Sequence, residues 1–435
     1  MTAQIAIMNK EAIALASDSA VTITGGKKIF TSANKLFALS KYHPVGIMVF
    51  GNAVLMEVPW ETIVKTYRSR LGTKRFDTLG QYVADFIAFL DNGNSLFSET
   101  VQDVYVRNSI YGYFAFVRDK IAEAVHAKID QEGETSDSEI RQIVGRAIAD
   151  DYDRCQRAEK VPSLPETYEQ DIASKYGHLI SEAMGEIFEQ LPLGKRQVSQ
   201  LKSIAAALFS RFPEGLEAQT ASGVVVAGFG KADIFPSLQT LDVDGVSLNR
   251  LKHRVNERMS SKIDFETGAV ITPFAQRDMV VTFMEGIDPF LEASLNAYMS
   301  EIFGRYPDIV ADSVTMLDDQ GRRALRSRLR RVSRRILKDY HTAFEDYKRE
   351  KYTGPVLDVV EVLPKDELAA MAEALVNLTS FKRKVTMESE TVGGPIDVAV
   401  ISKGDGFIWI KRKHYFKPEL NPQFFANYYK EDWNG

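Results

Sequence analysis

Thr2-Ala3-Gln4-Ile5-Ala6-Ile7-Met8-Asn9-Lys10-Glu11-Ala12-Ile13-Ala14-Leu15-Ala16-Ser17-Asp18-Ser19 is the stretch whose reading decides the fold. Residues 3–8 and 12–19 are two apolar runs around the polar trio Asn9-Lys10-Glu11, which predicts a β-hairpin. A threonine opens the first run. Loss of Met1 would leave a free α-amino group on the residue that bears the hydroxyl. Amine and hydroxyl together make a self-contained base and nucleophile.

Working outward, Lys28-Ile29-Phe30 and Leu36-Phe37-Ala38-Leu39 read as a second short strand pair. Val45-Gly46-Ile47-Met48-Val49-Phe50 reads as a buried strand ending at Gly51. Pro59 opens a helix to about Leu71, and a second helix covers roughly 78–91 on Leu79, Val83, Phe86, Phe89 and Leu90. From about 100 to 215 the chain is charge-rich and helical, with an exposed loop over 131–138. Strand character returns at Gly223–Gly230 and at Ile234–Val243, with a turn at Asp244-Gly245, and again near Met279-Val280-Val281-Thr282-Phe283. A second helical block, about 290–350, carries the arginine-dense run Gly321–Arg331. After Pro364 a helix places Leu368, Met371, Ala372, Leu375 and Leu378 on one face. Ile396–Ile401 and Phe407–Ile410 around Lys403-Gly404-Asp405-Gly406 form a closing hairpin. Strands, helices, strands, helices, strands is the order of one sheet-based domain carrying helical insertions.

Composition narrows the function classes. A net charge of -5 gives no general reason to expect nucleic acid. The arginine run at 322–335 reads as a solvated helix face paired with acidic neighbours. The single cysteine, Cys155, excludes an intramolecular disulfide and a cysteine metal cluster. The six histidines show no metal spacing, and no cofactor motif is present. No apolar run reaches bilayer-spanning length, and the start lacks a signal-peptide pattern. The expectation is a cytoplasmic protein without cofactor or metal.

Thr2, then Ala16-Ser17-Asp18-Ser19-Ala20, then Lys35, then Phe50-Gly51-Asn52-Ala53 resembles the start of a proteasome β-type subunit and of its bacterial peptidase relatives. These are N-terminal nucleophile (Ntn) hydrolases. The resemblance implies a threonine nucleophile with an aspartate sixteen residues later, which Asp18 satisfies. It also implies a lysine about sixteen further on. Lys35 lies one residue beyond that, a step a loop residue near Gly25-Gly26 would absorb. On this reading Lys35 acidifies the hydroxyl, Asp18 holds Lys35 charged and oriented, and the Gly51 N–H is the oxyanion donor. Taken singly, Asp18 also reads as a turn residue, Lys35 as a solvated charge and Gly51-Asn52 as a turn pair.

The resemblance covers about 1–95, 221–290 and 355–412. It implies an α+β fold, a four-layer αββα sandwich formed as a single domain over 1–435. Helical insertions occupy about 100–215 and 290–350, and an aromatic tail spans 413–435. It departs from the family before the paired glycines, where an aspartate and a serine give way to Ser389 and Val392. A second serine is replaced within Met284-Glu285-Gly286-Ile287-Asp288. The implied activity is amide hydrolysis of a peptide or protein substrate. A homo-oligomer and an unfoldase or regulatory partner are also expected, with no membrane. A non-catalytic assembly or binding protein and a small-molecule Ntn amidase stand as alternatives.

Overall fold

The computed structural model describes residues 2–23, 28–91, 95–189, 191–213, 221–386 and 392–430. Helices and strands both contribute substantially, so the chain is α+β. The backbone divides into two compact units. One comprises Met1–Leu36, Ile234–Pro236 and Lys262–Gly435; the other comprises Phe37–Asp233 and Ser237–Ser261.

The first unit is built on a five-stranded sheet. Its order is Ala269–Ala275, Ala3–Asn9, Ala12–Ser17, Asp397–Ser402, Gly406–Lys411, every neighbour antiparallel. The opening hairpin turns because Asn9 Oδ1 accepts from the backbone N–H of Glu11 and Ala12, a local side-chain closure typical of Asx turns. The Asn9 amide also donates to Val360 O and Leu363 O, which ties the turn to the helical layer. Alternate residues Ala3, Ile5, Ile7, Ala12, Ala14 and Ala16 form one core with Leu368, Ala372, Leu375 and Val376 of helix Lys365–Val385. The small alanines on the strands admit the helix closely. Asp366 and Glu367 begin that helix and Lys382, Arg383 and Lys384 end it, the charge order that its dipole favours. Helices Pro289–Ser313 and Asp319–Lys348 form a hairpin. Asp288 and Asp318 cap their starts by accepting from Phe290 N and Gly321 N, respectively.

The second unit holds a six-stranded sheet. Its main path is Arg250–Val255, Ser237–Ser247, Ser222–Gly228, Val45–Gly51, Leu36–Ala38. Ile47, Val49, Val224 and Val226 from its central strands pack with Ile63, Val64 and Tyr67 of helix Trp60–Leu71. Val83 and Phe86 of helix Leu79–Leu90 complete this core. A separate core, including Ile110, Phe114, Ile148, Ile172, Ile180, Leu201 and Ile204, joins four helices: Glu99–Glu132, Asp137–Arg157, Tyr168–Ile187 and Lys195–Ala207.

Several local expectations are corrected. Met279–Phe283 is not a strand but part of helix Asp278–Glu285. Asp278 sits in its first turn, Gly286 closes it in the left-handed region, and Val280 and Met284, one turn apart, reach the core. The strand of this region is instead Ala269–Ala275, whose Pro273 lies opposite Ile5. An edge strand tolerates that proline because its missing N–H need not serve a second neighbour.

Asp244-Gly245 is not a turn either. Strand Ser237–Ser247 runs through it with a bulge between Val243 and Val246. Buried Asp244 pairs with Lys252 at 2.8 Å, and a Cβ on Gly245 would come within 2.4 Å of the Tyr105 ring. The chain reverses at Leu248-Asn249, where φ is 49° and 58°, as a type I′ turn requires. Lys28–Phe30 pairs with Val21–Ile23 rather than with residues 36–39. Leu378 is exposed, and Val376 and Thr379 take the buried positions on its helix.

Candidate active site

The hairpin register builds the first half of the site. Gln4 lies opposite Ser17 and Ile5 opposite Ala16, so one further step brings Ala3 beside Asp18. The pair exchanges two bonds: Asp18 N donates to Ala3 O at 3.0 Å and Ala3 N donates to Asp18 Oδ1 at 3.1 Å. The sixteen-residue interval between Thr2 and Asp18 is thus the length needed to go up one strand and return along the next. Thr2 is held from its other side by Gln276 N, which donates to Thr2 O at 3.1 Å.

Lys35 enters from the segment after Lys28–Phe30, anchored where Ala33 N donates to Ser19 O. Its ammonium donates to Thr2 Oγ1 at 2.6 Å, to Asp18 Oδ1 at 2.8 Å and to Ala20 O. An ammonium has three hydrogens, and these three acceptors use all of them. Thr2, Asp18 and Lys35 are 5%, 1% and 7% exposed, so their interactions operate with little screening. Burial pushes the Lys35 ammonium below the usual lysine range. The Asp18 carboxylate opposes that shift, and the Lys413 cation adds to it.

Asp18 does more than pair with Lys35. Its Oδ2 accepts from Ala20 N at 3.3 Å and Gly393 N at 3.1 Å. Ser19 N returns a bond to Gly393 O at 3.2 Å, and the Ser19 hydroxyl donates to Pro395 O. A carboxylate in this setting is fixed in place by backbone donors on three sides. Behind it, Gln4 Nε2 donates to Ser17 Oγ, which donates to Asp18 O. Asp397, opposite Ser17 on the next strand, accepts from both the backbone N and the side-chain ammonium of Lys413.

Gly51 belongs to the other unit, where it ends strand Val45–Gly51 opposite Ser222. It is exposed, with φ of +81°, and a Cβ there would approach Ala221 O to 2.9 Å. Trp60 Nε1 donates to Ser222 Oγ, which donates to Asn52 O, so its surroundings are well defined. The three residues brought together are Thr2, Asp18 and Lys35.

Sequence reasoning missed the backbone partners Ala3 N, Ala20 N, Ala20 O and Gly393 N. The flanking glycine pair was a signal for the last of these; Lys413 had none. Ser389 lies outside the described residues. Val392 is buried in the core of the first unit, and Asp288 caps a helix. The arginine run pairs with its neighbours as expected: Arg326 with Asp308 and Asp312, Arg330 with Asp308. Among the described residues, no group of three or more His, Cys, Asp or Glu side chains is arranged to hold a metal ion. No described helix is long and apolar enough to cross a membrane.

No protein-family model and no curated protein matches the chain. Among solved structures it is similar to an Anbu (Gly-1) mutant from Hyphomicrobium sp. strain MC1. The identity is 7% and the TM-score 0.28, with 100% of this chain and 98% of that one covered. It is also similar to Anbu, an ancestral β-subunit, from Yersinia bercovieri. There the identity is 9% and the TM-score 0.26, with the same coverages. Likenesses this distant carry no argument about function, which is left to the geometry.

Proposed function

We propose that the chain is a threonine-type N-terminal nucleophile hydrolase that cleaves amide bonds, chiefly peptide bonds, after Met1 is removed. The observation that carries this reading is the buried Lys35 ammonium, 2.6 Å from Thr2 Oγ1 and 2.8 Å from Asp18 Oδ1. A hydroxyl is a poor nucleophile until a base takes its proton. The base for Thr2 is its own α-amino group, with a reference pKa of about 7.7–8.0, and the Lys35 cation beside Oγ1 favours loss of the hydroxyl proton.

Thr2 Oγ attacks the substrate carbonyl carbon and its proton passes to the neutral amine. Collapse of the tetrahedral intermediate breaks the C–N bond, and the same proton goes to the leaving nitrogen. Water then attacks the ester, giving its proton to the amine and releasing the acid and the Thr2 hydroxyl. Asp18 keeps Lys35 within reach of Thr2 throughout. From the sequence alone, the Gly51 N–H is the proposed oxyanion donor.

The same proposal includes the four-layer αββα arrangement in a single domain, a cytoplasmic setting and a peptide or protein substrate delivered by an unfoldase partner. Supporting the layering, helix Lys365–Val385 packs on the five-stranded sheet, and helices Trp60–Leu71 and Leu79–Leu90 pack on the six-stranded sheet.

The test is intact mass followed by reaction with a threonine-directed electrophile, comparing wild type with Thr2→Ala. Loss of the Met1 mass and a single adduct confined to wild type are expected. Retained Met1 or equal labelling of both would overturn the reading in favour of a non-catalytic assembly protein. Turnover of simple amides with none of peptides would reassign it to small-molecule amidase chemistry.

A further inference from the structure

Residues 320–338 hold nine cations and no acidic side chain, and eight of the nine are arginine. All lie within helix Asp319–Lys348. Arg323, Arg326, Ser327, Arg330 and Arg334 line a pocket of about 410 Å³, a volume in the range of small-molecule sites. At about 100° per residue these five share a sector of roughly 100° over a length of roughly 16 Å.

Two of the four guanidiniums are held in place from the neighbouring helix, Pro289–Ser313. Arg326 bonds Asp308 at 3.0 Å and Asp312 at 2.6 Å, and Arg330 bonds Asp308 at 2.9 Å. A guanidinium has five N–H donors, so both keep hydrogens to spare. The outer two, Arg323 and Arg334, are exposed and pair with no carboxylate among the described residues. Each donates only its Nε–H, to Asp319 O and Arg330 O respectively. A bond to the carbonyl four residues back folds the side chain along its own helix and leaves the terminal fork of N–H groups unused. Four arginines against two aspartates leave the pocket with positive charge in excess.

The chemistry of the lining selects the occupant. A carboxylate has two oxygens and one charge, which a single guanidinium fork satisfies. Four guanidiniums and a hydroxyl around one pocket call for a compact anion with several charges and many acceptor oxygens, which linked phosphoryl groups supply. Arginine suits this better than lysine, since its planar fork binds phosphate oxygens in pairs. No aromatic side chain lines the pocket, so the usual stacking platform for a nucleic-acid strand is missing. We propose that the pocket binds an oligophosphate chain of three or more linked phosphoryl groups, either free or as the tail of a nucleoside triphosphate. Arg326 and Arg330 form its fixed floor, and Arg323 and Arg334 close on its two ends.

Calorimetric titration of the full-length chain at about 0.15 M salt tests this with tripolyphosphate and ATP as probes. Wild type is expected to bind, and the tighter of the two names the source as free chain or nucleotide. Arg323→Gln with Arg334→Gln should weaken binding about tenfold or more, through the loss of two charge-assisted contacts. Both side chains are exposed and without an ion pair, so the variant keeps its fold. Arg328→Gln with Arg335→Gln removes the same charge outside the pocket and should cost less than about threefold, because distant exposed charges are screened. Thr2→Ala should bind as wild type does, which separates this site from the hydrolase reading. Citrate, a compact polycarboxylate, should bind about tenfold more weakly than tripolyphosphate. No binding of either phosphate, equal losses from the two arginine pairs, citrate as tight as tripolyphosphate, or loss of binding in Thr2→Ala would overturn the proposal. So would a single-stranded oligonucleotide that binds where neither small anion does.

Discussion

Replacing Asp18 by Asn and Lys35 by Met, singly and together, tests whether the buried pair acts as one unit. Asp18→Asn removes the carboxylate charge beside the Lys35 ammonium and puts an NH2 donor in place of an oxygen that accepts either from Lys35 and Ala3 N or from Ala20 N and Gly393 N. Lys35→Met leaves a buried carboxylate held by the N–H groups of Ala3, Ala20 and Gly393. Removing one partner of a buried ion pair costs about 3–5 kcal/mol. Lys35 can shed its proton and Asp18 keeps three donors, so each single change should fall near the lower figure, about 3 kcal/mol. The double variant removes both charges and should cost less than the sum, by a coupling within about 0.5–3 kcal/mol. Urea unfolding of the full chain at pH 7 measures all four species, with an unchanged slope as the check on the comparison. Costs that add to within about 0.5 kcal/mol would refute the coupling and with it the positioning role of Asp18.

The pH dependence of the same set has a defined sign. Folded Lys35 titrates below the unfolded value of 10.5. Between those two values the unfolded chain binds more protons, so this group makes stability rise with pH. Below the window its penalty is fully present, and above 10.5 the dependence ends. Lys35→Met should lack this rise, so its cost relative to wild type grows with pH across the window; a parallel pair of stability curves would contradict the shift.

Lys35→Met should also depress peptide turnover by about 10²–10³-fold, because the cation that donates to Thr2 Oγ1 is lost; turnover equal to wild type would remove Lys35 from the chemistry. Gly51→Ala should destabilise by about 1–2 kcal/mol, since alanine at positive φ is strained and its Cβ would meet Ala221 O at 2.9 Å; thermal melting measures it. Gly245→Ala drives a methyl into the Tyr105 ring, 2.4 Å away, and should cost about 1–3 kcal/mol by overpacking. An unchanged melting temperature for Gly245→Ala would mean that Tyr105 swings aside freely.

The opening hairpin was legible because its alternation and polar turn are local, and the Thr2–Asp18 interval is a direct product of its register. Lys35 was legible only through the family resemblance, since taken singly it reads as a solvated charge and its spacing departs by a residue. What could not be read is what distant chain supplies. No local pattern says that the Gly393 N–H closes on Asp18, because that contact depends on sheet order. Strand Ala269–Ala275 was hidden by Pro273, which argues against a central strand but suits an edge. Met279–Phe283 looked like strand from its β-branched valines, yet Asp278 and Gly286 at its ends decide for helix. Asp244-Gly245 had turn composition, but the aspartate answers a buried lysine and the glycine makes room for a ring.

The bond from Gly393 N to Asp18 Oδ2 spans 375 residues of chain, and the strands on both sides of the opening hairpin also come from beyond residue 268. During synthesis Thr2, Asp18 and Lys35 are therefore made early, and the Gly393 segment and flanking strands that enclose them come late. At about 5–20 residues per second, some 20–80 s separate the two. Over that interval the nascent chain carries a threonine with no fixed aspartate behind it and no closed sheet around it. The Thr2–Asp18–Lys35 cluster is enclosed only after the segment that carries Gly393 has been made.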